Sequence, residues 1–447
     1  MTLVGEIQQR SARRAWIVAA VTLVALVAAA AFRSSTGVLM EPIEREFGWS
    51  RAVTSGAVSL NLVLYGLVAP FAAALMEHWG VRKIVTAALG VVGVASLLTT
   101  VMTAKWQLWA LWGLTIGVST GAMALVLGAI IANRWFHSHR GLVVGIFSAA
   151  NATGQLVFLP AIAGAASRWG WRWSAGIVGG LAFAAMVLIG TLLRDRPQDL
   201  GLVPYGAVPG TPEAEVPPAA TESPGRRALG VLRTVSRTWT FWALAATFWV
   251  CGWSTNGLIQ THFVPAAHDH GMANTTAAGL LAVVGIFDIV GTVASGWLTD
   301  RFDARILLAA YYTLRGLSLL TIHHMLAPHV EPGMWMFIVF YGLDWVATVP
   351  PTVALCRQHF GLADSGIVFG WVFAAHMVGA GVGASIAGWI RTADGSYRLA
   401  WIVAAVLCFV AALVAVTIPR RPPPVPEGDP PLEPDDEQLT APEMEFT

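Results

Sequence analysis

The sequence predicts an all-α membrane protein with twelve transmembrane helices in two pseudo-symmetric six-helix bundles. Three observations predict this fold class: the composition, the number of long apolar runs, and a repeat that relates the two halves of the chain. Hydrophobic residues make up 56% of the 447 residues, whereas Asp, Glu, Lys and Arg together make up 12%. In soluble domains about 45–50% of the residues are hydrophobic and about 25% are charged. No soluble fold has an interior large enough to bury so much apolar surface.

Twelve apolar runs are long enough, at about 20 residues, to cross a bilayer as helices. They are continuous rather than alternating with a period of two, which favours helices over barrel strands. The first run follows three arginines but is too long for a cleaved signal peptide, so we expect it to be retained. The predicted spans are 16–41, 52–76, 84–104, 106–133, 141–167, 173–193, 238–265, 275–299, 306–328, 333–356, 365–390 and 399–418.

Proline and charge divide the chain into four parts. Residues 1–194 and 238–418 each hold six of the predicted spans. Residues 195–237 are rich in Pro, Glu and Gly, which predicts a flexible cytoplasmic linker rather than a folded domain. Residues 419–447 are rich in Pro and acidic residues, which predicts a disordered cytoplasmic tail.

The distribution of lysine and arginine predicts the orientation of the chain. The two termini and the even-numbered loops carry 18 of these residues, and the odd-numbered loops carry seven. Because cytoplasmic loops hold the excess of positive charge, we expect both termini in the cytoplasm.

The second half of the chain repeats the first. In membrane transporters built from such repeats, the substrate lies near the bilayer midplane between the two copies. The matched pairs are Pro42/Pro265, Gly48/Gly271, Gly56/Gly279, Glu77/Asp300, Arg82/Arg305 and Arg134/Arg357 at a shift of 223, and Gly141/Gly366, Gly145/Gly370 and Gly154/Gly379 at a shift of 225.

The loop after span 8 carries a recognisable motif. Residues 296–305 read Gly-Trp-Leu-Thr-Asp-Arg-Phe-Asp-Ala-Arg and resemble the G-x-x-x-D-R-x-x-x-R signature of the major facilitator superfamily. Residues 73–83 form a degenerate first-half copy, with His78 at the arginine position. An acidic residue at a helix end that meets a basic loop can latch neighbouring helices; a loop that only sets orientation is the alternative. The latch candidates are Glu77, Arg82, Asp300, Arg301 and Arg305.

A second stretch resembles one branch of that superfamily. Residues 134–145, Arg-Trp-Phe-His-Ser-His-Arg-Gly-Leu-Val-Val-Gly, resemble the signature between helices 4 and 5 of the monocarboxylate and oxalate/formate porters. Residues 46–51 and 196–202 resemble bacterial members of the branch. The resemblance implies the major facilitator fold, a bacterial cytoplasmic membrane and a small organic anion as substrate. In helix 8, Asp288 matches the branch pattern, whereas Thr292 stands where the branch has arginine.

Four charged residues, Arg33, Asp288, Arg315 and Asp344, lie within the predicted spans. A charge exposed to lipid costs a few kcal/mol, so each should face protein or water. At about 1.5 Å per residue, Asp288 and Arg315 lie about 18 Å and about 15 Å from the same membrane face. We therefore expect Arg315 to supply the positive partner that Thr292 does not, either for proton coupling or as a purely structural ion pair.

A histidine joins these residues as a candidate for proton coupling. His376 falls in span 11, and a neutral imidazole can take up a proton near physiological pH. A hydrogen-bonded structural histidine is the alternative. The proton-coupling candidates are Asp288, Arg315 and His376.

Other polar residues in the spans are candidates for binding the substrate. Arg33 lies on helix 1, which lines the cavity in the fold that the resemblance implies. A guanidinium there could bind a carboxylate through two parallel hydrogen bonds, and a permanent salt bridge to Asp344 is the alternative. Tyr65 has the repeat position of Asp288, and Asn256 has that of Arg33. The substrate-binding candidates are Arg33, Asn256, Tyr65, His262 and Asp344.

Glycines and prolines predict where the helices pack closely or bend. Glycines at shared repeat positions place small faces on helices 5 and 11, which permits close helix contacts. Pro350 and Pro351 should interrupt the hydrogen bonds of helix 10 and kink it. Such a kink is either a moving joint or a fixed shape.

The sequence excludes several classes of function. It contains no nucleophile–base constellation and no ATP-binding motif, so we expect no enzyme and no primary pump. The net charge of +1 excludes nucleic-acid binding by phosphate neutralisation, and the cysteine spacing favours neither metal nor cofactor. We predict a monomeric secondary transporter that moves a monocarboxylate-like anion by proton symport. A multidrug or amphiphile exporter and a transport-inactive sensor are the alternatives.

Overall fold

A computed structural model describes residues 3–211 and 222–420 of the chain. The described residues confirm the predicted fold class, with a helix at each of the twelve predicted spans. Nine helical stretches among them are long and apolar enough to cross a membrane, and one of these, Pro332–Asp394, contains both α10 and α11. The helices are α1 (Leu3–Phe47), α2 (Arg51–Trp79), α3 (Val81–Thr99), α4 (Lys105–Trp135), α5 (Arg140–Trp169), α6 (Trp171–Leu192), α7 (239–269), α8 (Asn274–Thr299), α9 (Ala304–Met325), α10 (332–360), α11 (362–394) and α12 (Arg398–Thr417).

The two halves pack in the same way. In the first half α1 packs on α5, α3 on α6, and α2 on α4; in the second half α7 packs on α11, α9 on α12, and α8 on α10. The halves meet through two further pairs, α2 with α11 and α5 with α8, which the repeat also relates. The sequence repeat is therefore a repeat of helix packing.

Two helices are interrupted at equivalent positions of the repeat. Helix α4 changes at residues 122–124, between Gly117–Gly121 and Leu125–Trp135. Helix α10 changes at residues 345–348, between Pro332–Asp344 and the helix that starts at Val349. A shift of 223 superposes the two breaks, so both halves carry a discontinuous helix at the same depth.

The loops after α2, α4, α8 and α10 lie on one side of the molecule, which we call the basic face because it carries Arg82, Arg134, Arg301 and Arg357. On the opposite face, each half is tied by one bidentate ion pair. Glu46 at the end of α1 binds Arg172, with N···O distances of 2.6 and 2.8 Å. Asp269, at the repeat position of Glu46, binds Arg391 at 2.7 and 3.0 Å. The bonded guanidinium lowers the pKa of both carboxyl groups.

The connection between the halves is more ordered than the sequence predicted. Tyr205 exchanges backbone hydrogen bonds with the end of α4 and the loop that follows it, and Pro224–Val235 forms a helix, here called the linker helix. Its buried residues Ala228, Val231 and Val235 pack beneath α2 and α11. The predicted linker over 195–237 therefore contains a helix and backbone hydrogen bonds within 195–211 and 222–237, and its flexibility stays a prediction. The predicted tail beyond residue 420 lies outside the described residues.

Candidate functional site

A pocket lies in the first half, where α1, α2, α4 and α5 meet. The α4 break forms one of its walls, and Tyr65 forms another. Arg33 lies one turn after Ala30 on α1, but its side chain is outside the described part of the molecule. The pocket is lined by Leu26, Ala29, Ala30, Tyr65, Thr120, Met123, Leu125 and Phe147.

The polar groups at this pocket are the side chains of Tyr65 and Thr120 and a helix start. The Tyr65 ring packs edge-on against Phe373 of α11, with ring centroids 5.5 Å apart, so the pocket borders the contact between the halves. Leu125 is the first residue of the helix Leu125–Trp135. The first N–H groups of a helix lack helical acceptors and favour negative charge.

Arg315, the cation expected to pair with Asp288, binds Asp344 instead. Its Nε donates to Asp344 Oδ2 at 2.6 Å, and the two side chains are 0% and 7% exposed. Its Nη2 donates to the backbone oxygens of Asp344 at 2.6 Å and Trp345 at 3.1 Å. The predicted Asp288–Arg315 pair is therefore wrong, because the guanidinium is directed at α10. Asp344 receives its cation from its own half.

Asp288 is buried, at 2% exposure, without a salt bridge in the described residues. Its Oδ1 accepts a hydrogen bond from Thr292 Oγ1 at 2.7 Å and another from the Val346 N–H at 3.1 Å. Thr292, at the position where the branch has arginine, is thus a hydrogen-bond donor to Asp288. Asp288 reaches the same break of α10 that Arg315 binds.

Pro350 and Pro351 explain the break, as the sequence predicted. Because proline has no N–H, the carbonyl groups of Val346 and Ala347 lose their helical donors. The Val349 N–H donates to Val346 at 3.0 Å, and Ser295 Oγ of α8 donates to Ala347 at 2.5 Å.

A chain of polar contacts leads from this break to His376 on α11. Arg315 Nη1 lies 3.2 Å from Cys251 Sγ, and the side chains of Cys251 and His376 also interact. The His376 ring packs against Phe248, with centroids 4.8 Å apart. Its Nδ1 has no hydrogen-bond partner among the described residues. The structure thus brings together Asp344, Arg315 and His376.

The other two substrate-binding candidates lie on α7. Both ring nitrogens of His262 have partners: Tyr397 Oη at 3.2 Å and the Ala384 carbonyl at 2.9 Å. His262 therefore ties α7 to α11 and α12. Asn256 is half-buried in the π-helical segment Trp253–Ile259, and its side-chain amide makes no hydrogen bond to another described residue.

On the basic face, Asp300 joins the two halves. Its carboxylate accepts hydrogen bonds from the N–H groups of Gly141 at 2.7 Å and Leu142 at 3.0 Å, in the first turn of α5. An acidic group at a helix start is stabilised by the free N–H groups and the helix dipole. The Asp300 carboxylate therefore connects the second half to the start of α5 in the first, and it also interacts with Arg140 and Arg357.

Glu77 also has a partner that the motif did not predict. Arg227 of the linker helix lies 3.7 Å from Glu77 of α2 and forms an ion pair with Asp364 of α11. Trp371 of α11 donates its Nε1–H to the Ala228 carbonyl at 3.1 Å. The linker helix therefore binds both halves at the basic face.

The three basic latch candidates make contacts within their own half. The Arg82 N–H donates to Asp195 at 2.8 Å. Arg301 stacks over the Trp297 ring, 3.9 Å from its centroid. Arg305 binds Asp303 at 2.7 Å and the Ile418 carbonyl at 2.8 Å. Arg82 and Arg305 thus connect neighbouring helices of one half, and the latching role of the three residues stays a prediction.

Glycines bring α5 and α8 into backbone contact next to Asp300. A Cβ atom at Gly145 would lie 2.6 Å from the Thr292 carbonyl oxygen, and one at Gly296 would meet the Gly141 carbonyl. In α11, a Cβ at Gly370 would lie 2.6 Å from Pro70 of α2. The basic face is thus closed by the α5–α8 and α2–α11 contacts together.

Comparison with protein families supports the same architecture. The family model described as the Major Facilitator Superfamily matches residues 21–360 and, in a second match, residues 263–444. The human organic anion transporter MFSD10 covers 90% of this chain, and 99% of its own chain is covered, at a TM-score of 0.68 and 14% identity. The match to the proton:xylose symporter XylE covers 92% of this chain and 97% of the XylE chain, at a TM-score of 0.67 and 15% sequence identity. These structural likenesses show the fold.

Relatives in sequence are similar over nearly the whole chain. An uncharacterized MFS-type transporter, YcxA, of Bacillus subtilis is 26% identical over 91% of this chain and 95% of its own length. Monocarboxylate transporter 11 of Mus musculus is 24% identical over 91% of this chain and 87% of its own length. Monocarboxylate transporter 13 of Rattus norvegicus is 26% identical over 86% of this chain and 84% of its own length.

Proposed function

The chain belongs to the major facilitator superfamily, and we propose that it carries a monocarboxylate-like anion together with a proton across the bacterial cytoplasmic membrane. Alternating access between the two halves moves both. The observation that carries this proposal is the separation of Asp288 from the ion pair of Arg315 and Asp344. Arg315 is neutralised by Asp344 at 2.6 Å, whereas Asp288 has hydrogen bonds but no salt bridge among the described residues.

This separation supports the proposal that Asp288 is the proton carrier. Burial disfavours the charged form of a carboxyl group, and hydrogen bonds from Thr292 and Val346 favour it. A group balanced in this way can gain and lose a proton without breaking an ion pair. His376, at the far end of the polar chain, is the second candidate for the proton.

The anion site belongs, in this proposal, to the pocket of the first half. Ala30, Tyr65 and Leu125, the first residue of the helix Leu125–Trp135, line this pocket. Arg33 lies one turn after Ala30 on α1. A guanidinium can bind a carboxylate through two hydrogen bonds. The names of the monocarboxylate transporters among the relatives support the same substrate class.

Uptake into proteoliposomes tests the proposal. A panel of radiolabelled monocarboxylates is offered with and without an inward proton gradient. We expect accumulation that requires the gradient, and we expect Arg33→Ala to weaken the apparent affinity for the anion more than Arg33→Lys does. Uptake of amphiphilic cations but of no carboxylate would contradict the anion assignment.

The proton assignment is tested with Asp288→Asn, which keeps the shape and the acceptor oxygen but removes the charge. We expect it to abolish gradient-driven accumulation and to retain anion exchange, because exchange moves no net proton. Glu331→Gln, which removes an exposed carboxylate, is the matched control and should accumulate anion as the unmodified chain does. Uphill accumulation by Asp288→Asn at the unmodified level would move the proton site to His376 or Asp344.

A further inference from the structure

The break in α10 is held by side chains from three other helices. Arg315 of α9 donates to the carbonyl groups of Asp344 and Trp345, and Asp288 of α8 accepts from the Val346 N–H. Ser295 of α8 donates to the Ala347 carbonyl, and Cys251 of α7 lies 3.3 Å from Thr348 Oγ1. Every residue from 344 to 348 is therefore bound by a neighbouring helix.

The signs of the two charges match the ends that they bind. The carbonyl groups at the end of Pro332–Asp344 form the negative end of a helix dipole, and the Arg315 guanidinium lies against them. The free N–H of Val346 precedes the helix that starts at Val349, and a carboxylate lies against it. Discontinuous helices in transporters place such ends at the sites where ions bind.

The depth of the break is that of the candidate substrate site. The equivalent break in α4 lines the pocket of the first half, with Tyr65 at the repeat position of Asp288. In the second half the equivalent break is bound by Asp288 and Arg315. The repeat has thus produced one break beside a pocket and one break bound by charges.

We propose that the α10 break is the joint through which a proton on Asp288 changes the shape of the second half. A charged carboxylate is a stronger acceptor than a neutral one, so it holds the Val346 N–H and fixes the angle between the two parts of α10. A proton that arrives from water and binds a carboxyl oxygen of Asp288 weakens this hydrogen bond and frees the joint. Arg315 keeps its bonds to the other side of the break and acts as the fixed pivot.

The charged groups around Asp288 are few. Arg315 approaches from α9 and Asp344 from α10, and they neutralise each other. Helix α5, which packs on the next turn of α8, presents Gly145 to the Thr292 backbone. Cys251 of α7, at Thr348, and Tyr311 of α9, at Ser295, are further titratable side chains at the break. Asp288 is the carboxyl group there that has no salt bridge in the described residues. The inference rests on the proposed function, because proton coupling would give the joint its role in transport. Its test does not depend on transport, since it measures the shape of α10 alone.

The test measures the angle of α10 in the absence of substrate. Spin labels are placed at Trp335→Cys and Gln358→Cys, two exposed positions on either side of the break, in the full chain reconstituted in nanodiscs. The three native cysteines are buried, so labelling is directed to the introduced ones. Double electron–electron resonance then gives the distance between the labels at an acidic and an alkaline pH.

We expect the distance distribution to shift between the two pH values and Asp288→Asn to give the acidic distribution at both. Val346→Pro, which deletes the N–H while retaining Asp288, should also lose the shift. Ser295→Ala, which removes an uncharged contact to the same break, is the matched control and should keep it. Size-exclusion profiles establish that each variant is folded. If Val346→Pro does not fold, the result for Asp288→Asn decides the test by itself.

An unchanged distance in the unmodified chain, or a pH shift that persists in Asp288→Asn, would overturn the inference. Because no anion is present, this result is independent of the uptake experiments. Loss of accumulation in Asp288→Asn with an immobile α10 would leave the proposed function intact and refute the joint. A pH-dependent α10 in a protein without proton-linked uptake would support the joint and refute the proposed function.

Discussion

Arg315 illustrates how a buried charge is accommodated in this protein. Arginine has five N–H donors and no acceptor, and contacts are present on all three nitrogens. Nε binds Asp344, Nη2 binds two carbonyl groups, and Nη1 lies 3.2 Å from Cys251 Sγ and 3.4 Å from Ser254 Oγ. The side chain is fully buried, so these contacts replace the water that the cation has lost.

The stability of the Arg315–Asp344 pair can be measured with a double-mutant cycle. Arg315→Met and Asp344→Leu should each destabilise the protein strongly, because removing one partner of a buried pair costs about 3–5 kcal/mol. The double variant should lose less than the sum of the two, since no charge then remains unpaired. Thermal unfolding in detergent provides the measurement, and Arg226→Met, at an exposed arginine, provides the control. Additive losses would show that the pair is not energetically coupled.

The sequence predicted which residues are charged within the membrane but not how they pair. Helical rise placed Asp288 and Arg315 at nearly the same depth, and that argument contains no information on the direction in which a side chain points. Arg315 binds the carbonyl groups of Asp344 and Trp345 on α10, which directly precede the two carbonyl groups that Pro350 and Pro351 leave without helical donors. Both prolines were visible in the sequence and predicted a break in α10, but they did not show which side chains would bind it.

The linker helix is the element that the sequence analysis missed. The prolines of this segment suggested a flexible linker, yet Ala228, Val231, Leu232 and Val235 recur at helical spacing. This pattern predicts an amphipathic helix with Arg227 near its start, and Pro224 stands at the first helical position, where proline is favoured. The partner of Glu77 could not have been found from the loop motif, because it lies about 150 residues further along the chain.

Arg227 should determine how firmly the linker helix closes the basic face. Ser365 of α11 is buried against Asn133 of α4, with the two side chains 3.3 Å apart, so a cysteine there reports separation of the halves. In a Ser365→Cys background, Arg227→Ala should raise the rate of maleimide labelling several-fold, because Glu77 and Asp364 lose the cation between them. Arg233→Ala, at an exposed position of the same helix, is the matched control. Equal rates in the two variants would exclude the ion pairs of Arg227 as a closing contact.

At the scale of the whole molecule, the repeat explains why one face is closed. The pairs α2–α11 and α5–α8 are equivalent under the repeat, so glycines that narrow one pair have counterparts in the other. The sequence predicted these small faces on α5 and α11 from the spacing of glycines. It could not predict that Asp300 binds the start of α5, because that contact depends on which conformation the two halves adopt.

The proposed alternating access requires that the α5–α8 contact form in one state and separate in the other, and Gly296 lies at this contact. A Cβ atom there would meet the Gly141 carbonyl and lie 3.0 Å from the Gly145 Cα. These are backbone atoms, so the two helices must separate to admit it. Gly296→Ala should therefore weaken closure of the basic face, raise the labelling rate of Ser365→Cys and reduce uptake.

Gly285→Ala is the matched control for Gly296→Ala. Gly285 lies on the same helix α8, and nothing lies within 4 Å of the position its Cβ would take. Both substitutions gain about 1 kcal/mol of helix propensity, so a difference between them isolates the contact with α5. If the two variants label and transport alike, closure at this face does not depend on the approach of α5 to α8, and the Asp300 and Arg227 contacts must hold it without the glycines.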